Sequence, residues 1–199
     1  MVITGQVKSG SIYTAGVQIS TNGGSRWTPQ KICDQENSQS RVAAIAASNP
    51  NVVYVGCNSS SWTGLIYKST NGGAAWTAVT NGIQSVPEAL AVDPQDPNIV
   101  YVGTWSELWR SANGGTSWTK CVFPTYAYGF YSVVFDSNNP KEVFVGCGKG
   151  VFYSKDRGLT WTDLSEGLLV TNVNQLYFNA ATRTLYAATE GGSLWKRAL

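Results

Sequence analysis

The side chains available for chemistry in this chain are carboxylates, hydroxyls and aromatic rings, because it contains no histidine. Ser-His-Asp hydrolysis, Cys-His proteolysis and His-ligated zinc are thereby excluded. The four cysteines (Cys33, Cys57, Cys121 and Cys147) form no C-x-x-C pair, so no zinc ribbon, metal or cofactor is expected. Asp34, Glu36, Glu107, Asp163, Glu166 and Glu190 fall in irregular segments. Two such carboxyls roughly 6.5–9.5 Å apart could run an inverting glycoside hydrolysis. The second available chemistry is stacking. Trp62 lies in Asn58-Ser-Ser-Ser-Trp-Thr-Gly64, Trp105 in Gly103-Thr-Trp-Ser106, and Tyr126, Tyr128 and Phe130 in Phe123-Pro-Thr-Tyr-Ala-Tyr-Gly-Phe130. Flat rings among Ser, Asn and Thr stack on sugars or anchor a protein partner, although aromatics in such loops also pack on one another.

The elements that hold these groups follow from composition and repetition. In 199 residues only 13% are charged, against a norm of about 25%, while 12% are aromatic and 21 are Gly. That balance suits a turn-rich all-β chain. The net charge of +2 gives no electrostatic case for nucleic acid or a membrane surface. No apolar run approaches the ~18 residues of a membrane span, and the N-terminus shows no signal-peptide core. The compartment, and whether Met1 is the native start, stay open.

Four segments align: Ser20-Thr-Asn-Gly-Gly-Ser-Arg-Trp27, Ser69-Thr-Asn-Gly-Gly-Ala-Ala-Trp76, Ser111-Ala-Asn-Gly-Gly-Thr-Ser-Trp118 and Ser154-Lys-Asp-Arg-Gly-Leu-Thr-Trp161. A second marker, Val53-Tyr-Val-Gly56, recurs as Val100-Tyr-Val-Gly103, Phe144-Val-Gly146 and the weaker Leu185-Tyr-Ala-Ala188. Asn-Pro or Asp-Pro turns precede it at Ser48–Asn51, Asp93–Asn98 and Asp136–Pro140. Each unit reads as four short strands, A to D, punctuated by Gly and Pro. Four antiparallel strands per ~40–45 residues is a β-propeller blade. The spacing predicts one domain over 1–199, with units at about 1–30, 41–79, 87–121, 130–164 and 173–199. Eighteen strands are expected: B, C and D of a first blade, three full blades, then A, B and C of a fifth. The favoured reading is a five-bladed ring with an incomplete or composite closing blade, since an arc would expose sheet edges and apolar faces.

The S-x-[DN]-x-G-x-x-W pattern resembles the Asp-box (BNR) repeat of sialidases, family 74 xyloglucanases, sortilin-type receptors and photosystem II assembly propellers. Asn22, Asn71 and Asn113 stand where that repeat most often has Asp; Asp156 keeps the carboxylate. The acceptor oxygen survives the exchange, so the turn should too. Ser20, Ser69, Ser111 and Ser154 should satisfy turn groups, and Gly24, Gly73, Gly115 and Gly158 should supply positive φ. Trp27, Trp76, Trp118 and Trp161 should bury their rings between sheets. The box is thus expected to be architectural.

Strand alternation puts the boxes and A–B turns on one face and the longer B–C and D–A loops on the other, where function is expected. The D–A loops are expected at 28–41, 79–87, 120–130 and 163–172. The expected function is a non-catalytic binding module recognising a carbohydrate or a protein through Trp62, Trp105, Tyr126 and Tyr128. The alternatives are a structural or assembly component of a larger particle, or a fragment of a family 74-like glycoside hydrolase. Catalysis is disfavoured because only Arg41 of the six arginines borders that face. The resembling sialidases use an arginine cluster and an Arg-Ile-Pro motif absent here, and the resembling xyloglucanases use two large propellers. A homo-oligomer stays open. Cys33 and Cys121 could pair, with free buried thiols as the default.

Overall fold

The computed structural model describes residues 2–9, 11–192 and 194–199, without the side chains of Ile3, Ser9 and Asp34. The chain is an all-β propeller of five antiparallel sheets. The first blade comprises β1 (Val2–Ser9), β2 (Ile12–Ile19) and β3 (Thr28–Glu36). The second comprises β4 (Gln39–Ile45), β5 (Val53–Asn58), β6 (Gly64–Ser69) and β7 (Thr77–Ala78). The third is β8 (Pro87–Val92), β9 (Val100–Thr104), β10 (Leu108–Ser111) and β11 (Thr119–Lys120). The fourth is β12 (Ser132–Phe135), β13 (Val143–Cys147), β14 (Gly150–Ser154) and β15 (Thr162–Asp163). The fifth is β16 (Val173–Asn179), β17 (Thr184–Thr189) and β18 (Leu194–Ala198). Both end sheets have three strands and remain separate, so the closing blade is incomplete rather than composite. No helix of the described residues is long and apolar enough to cross a membrane.

Two strand expectations change. The segment after Trp27, expected to be a D–A loop from residue 28, is the nine-residue strand β3. Its polar residues (Gln30, Lys31, Gln35) hide a strand that pairs with β2 through a register shift. The fourth strand of the full blades, which the repeat centres on the box Trp as at Trp76, is only two residues long and begins after that residue. Such short outer strands limit the exposed sheet edge.

Side-chain alternation makes the core a stack of interblade layers. Tyr54, Tyr101 and Phe144 occupy the same place in the second marker, and each is fully buried against the next blade. The Tyr54 hydroxyl donates to Pro97 O at 2.9 Å, that of Tyr101 donates to Arg157 O, and Phe144 stacks on Phe178 at 4.8 Å. The marker's glycine has a packing reason. A Cβ on Gly103 would lie 2.3 Å from the Phe130 carbonyl oxygen; on Gly56 it would meet Pro87, and on Gly146, Val173, both at 2.7 Å. Each blade therefore locks into a groove that only glycine leaves open. The fifth blade has Ala188 there, and its outer face is uncovered, with Tyr177 63% and Leu194 71% exposed.

The four box turns share one hydrogen-bond pattern. The serine Oγ donates to Oδ1 of the Asn or Asp at 3.0, 2.9, 3.0 and 2.8 Å, and accepts from the N–H of Gly24, Gly73, Gly115 and Gly158, four residues on, at 2.8, 2.8, 2.8 and 2.7 Å. Oδ1 then accepts from the amide four residues on. Gly24, Gly73, Gly115 and Gly158 have φ of 93, 92, 89 and 75°. Trp161 is buried, whereas Trp27, Trp76 and Trp118 are half-buried. All four cysteines are free. Cys33 packs in the layer between the first two blades and Cys121 in a layer of the third and fourth, so the alternative pairing of those two is not present.

Candidate functional site

The loop face opposite the boxes is organised by the long connection after the third blade. Cys121–Tyr131 crosses from one B–C loop to the next: Gly129 N donates to Trp105 O at 2.5 Å, Phe130 N to Thr104 O at 2.9 Å, and Gly148 N to Tyr128 O at 2.8 Å. Phe130 is buried on Phe123, so of the five loop aromatics it is the one that anchors the loop. The pinned crossing brings four rings together. Trp105 lies 5.5 Å from Tyr128 and 6.2 Å from Tyr131, and Tyr126 lies 5.9 Å from Tyr128, all centroid to centroid and tilted. Trp105 and Tyr126 remain 60% and 78% exposed.

Trp62 stands apart, across the segment Gln84–Ser85. Gly64 N donates to Gln84 O, and Ser85 Oγ lies 3.2 Å from Ser106 Oγ in the Trp105 loop. The Trp62 ring is 66% exposed although its backbone has φ of 59°, a left-handed conformation that costs a bulky residue about 1–2 kcal/mol. The turn around it enforces the conformation: Trp62 N donates to Ser59 O at 3.0 Å and Thr63 N to Ser59 Oγ at 3.1 Å. An exposed ring held at such a cost is the kind of strain that accompanies function.

The carboxylates expected to be reactive are engaged one by one. Glu107 pairs with Lys120, Glu166 lies 3.7 Å from Arg197, Asp163 accepts from Ser165 N at 2.8 Å, and Glu190 accepts from the Asn172 amide. Glu36 ends β3, and the Asp34 side chain lies outside the described residues.

The sequence reading missed Glu88. Arg41 NH2 donates to both of its carboxylate oxygens, at 2.9 and 2.8 Å. Its signal was the repeat itself. Counting back four residues from Ile45, Val92, Phe135 and Phe178, which begin the pairing with the second marker, gives Arg41, Glu88, Tyr131 and Asn174. Tyr131 likewise belongs to this set rather than to the expected aromatics. Its phenol is pushed up from the usual value by burial, with Glu88, Tyr128 and Glu190 adding to the effect.

No family model matches the chain. The chain is 31% identical over 212 residues to xyloglucanase Xgh74A of Acetivibrio thermocellus, a match that takes in 81% of this chain and 25% of that enzyme. It thus spans about a quarter of the length of the curated relative it matches. Among solved structures, the Niastella koreensis GH74 enzyme superposes with a TM-score of 0.71 at 20% identity, covering 97% of this chain and 35% of the other. YCF48 bound to D1 peptide superposes with a TM-score of 0.64 at 13% identity, covering 93% and 58%. The blades therefore resemble those of the GH74 and YCF48 propellers, and the shared property at these identities is the fold.

Proposed function

We propose that this propeller is a carbohydrate-recognition module whose loop face receives a neutral β-glucan of the xyloglucan type. The observation that carries the reading is the exposed aromatic surface of Trp105, Tyr128 and Tyr126, with Trp62 held out beside it in a strained backbone. Sugar rings present apolar C–H faces to such rings and hydroxyls to the flanking Ser59, Ser61, Ser85 and Ser106. The 31% identity to a xyloglucanase supports the choice of polysaccharide. Binding without hydrolysis by this chain alone is supported by the separate engagement of Glu107, Glu166 and Glu190.

Affinity electrophoresis in soluble xyloglucan tests the proposal. Retarded migration, lost in Trp62→Ala and Trp105→Ala with the thermal melt unchanged, is the expected result. Unretarded migration of the parent protein would overturn it. Release of reducing ends by the parent, abolished in Glu107→Gln, would instead return the chain to the hydrolases.

A further inference from the structure

We infer that the loop-face end of the inner strands holds a second binding site, which takes one uncharged, monosaccharide-sized polyhydroxyl unit. The inference borrows its ligand class from the carbohydrate reading above and otherwise rests on different residues.

The site is built by a repeated backbone device. The inner strands β4, β8 and β16 carry a register shift at the same place: between Ser40 and Val42, Pro87 and Ala89, and Val173 and Gln175. In the fourth blade Tyr131 takes the corresponding place just before β12 and donates its N–H to Gly146 O at 3.1 Å. The residue before each of these positions faces the preceding blade: Pro87, Phe130 and Val173 fill the marker glycines, and Ser40 Oγ accepts from Gly5 N at 2.7 Å. The extra residue is re-aimed, which is what bulges commonly do beside functional sites. Four equivalent positions thus carry four different chemistries: Arg41, Glu88, Tyr131 and Asn174. Architecture repeats in this chain, as the boxes do, whereas these positions diversify.

Glu88, Tyr131, Ser132 and Gln175 line a cavity of about 320 Å³ whose remaining walls are apolar inner-strand residues such as Val42 and Leu90. That volume is at the low end of the roughly 300–1,000 Å³ of ligand sites, so it suits one ring rather than an extended chain. Outside this lining, two side chains joined to it through their partners carry buried polar atoms of both kinds: Arg41, paired with the lining residue Glu88, and Asn172, whose partner Glu190 acts on Tyr131. Arg41 Nε, a donor, and Asn172 Oδ1, an acceptor, are buried without hydrogen bonds among the described residues. Arg41 is tied to Glu88, and Asn172 to Glu190. A hydroxyl both donates and accepts, so a polyol can satisfy such a rim where a purely cationic or anionic group cannot. Arg41 spends its charge on Glu88, which leaves Glu190 as net negative charge and disfavours an anionic sugar. Trp105, 6.2 Å from Tyr131, joins the cavity to the aromatic surface.

The test titrates D-glucose, D-xylose and D-glucuronate into the intact protein and follows backbone amide shifts by NMR. The neutral sugars should shift Arg41, Glu88 and Tyr131, with glucuronate weaker. Tyr131→Phe should weaken the neutral sugars by at least about tenfold while leaving Trp62-dependent polysaccharide binding within about threefold. Glu88→Gln is the second variant, with a thermal melt to confirm folding, because it also loosens Arg41. The inference is overturned if no shifts occur, if shifts map only to Trp62 and Trp105, if Tyr131→Phe binds like the parent, or if glucuronate binds as tightly as glucose. Glucose shifts at Tyr131 in a protein that fails to bind xyloglucan would uphold this site while removing the aromatic surface reading.

Discussion

Arg157 reaches from the box turn of the fourth blade to Asp93 in the third, placing its Nε 3.0 Å from the Oδ2 of a carboxylate with no solvent exposure. It does so from a left-handed backbone, φ 56°, where the other boxes use Gly23, Gly72 and Gly114. Local strain is thus exchanged for an interblade ion pair. Arg157→Gly should relieve about 1 kcal/mol of strain yet leave Asp93, among the described residues, with the Gln95 and Asp96 amides. Removing one partner of a buried pair costs about 3–5 kcal/mol, so the net expectation is a loss of about 2–4 kcal/mol in urea unfolding. A variant more stable than the parent would show that the backbone term dominates.

Gly103→Ala should be among the most damaging single-methyl additions in the chain. The new Cβ would meet the Phe130 backbone oxygen at 2.3 Å, and backbone cannot rotate away as a side chain can. A loss of about 3 kcal/mol, the upper range for overpacking, is expected from denaturant midpoints. Ala188→Gly, at the equivalent but uncovered position, should change stability by no more than about 1 kcal/mol.

Trp62→Gly should separate stability from recognition. Glycine adopts φ 59° freely, so the variant should gain about 1 kcal/mol, while removal of the exposed ring should abolish retardation in xyloglucan. Equal losses of stability and binding would mean that the ring supports its loop.

Acid should weaken the joint between the fourth and fifth blades. Burial opposes ionisation of Glu142, but hydrogen bonds from Arg183, Tyr153 and Asn139 outweigh it and hold its carboxyl below the usual range. A folded pKa below the unfolded one contributes stability that is present above the unfolded value and is lost as pH falls through the folded value. Urea midpoints should therefore fall as the pH is taken from neutral down through and below the ordinary glutamate range, and Arg183→Ala should lower the plateau and flatten that fall.

Much of the architecture could be read from residue types because the physics there is local. The box serine, Asn and glycines close their own hydrogen bonds within a few residues, and the Val-Tyr-Val-Gly strands announce themselves by composition. β3 was misread because its alternation is polar, and its pairing depends on β2 and a bulge rather than on propensity. At the candidate site, Trp62 and Trp105 were visible as aromatics outside the repeat. Glu88 was not, since nothing local distinguishes it from a solvated loop residue; its place shows only against the other units of the repeat, as the extra residue between Pro87 and Ala89, and in its contact with Arg41, 47 residues away.

Because the diversified residues sit at equivalent places on the inner strands while the glycine grooves and serine turns carry most of the load of assembly, the two tasks fall largely to different residues. Selection, or a protein engineer, can rewrite Tyr131 or Asn174 with the grooves and turns in place, whereas Arg41 and Glu88 are tied across two blades and have to change together. The inner rim then behaves like a keyboard on a fixed chassis. Descendants of one such frame can part company in what they grip long before they differ in how they fold.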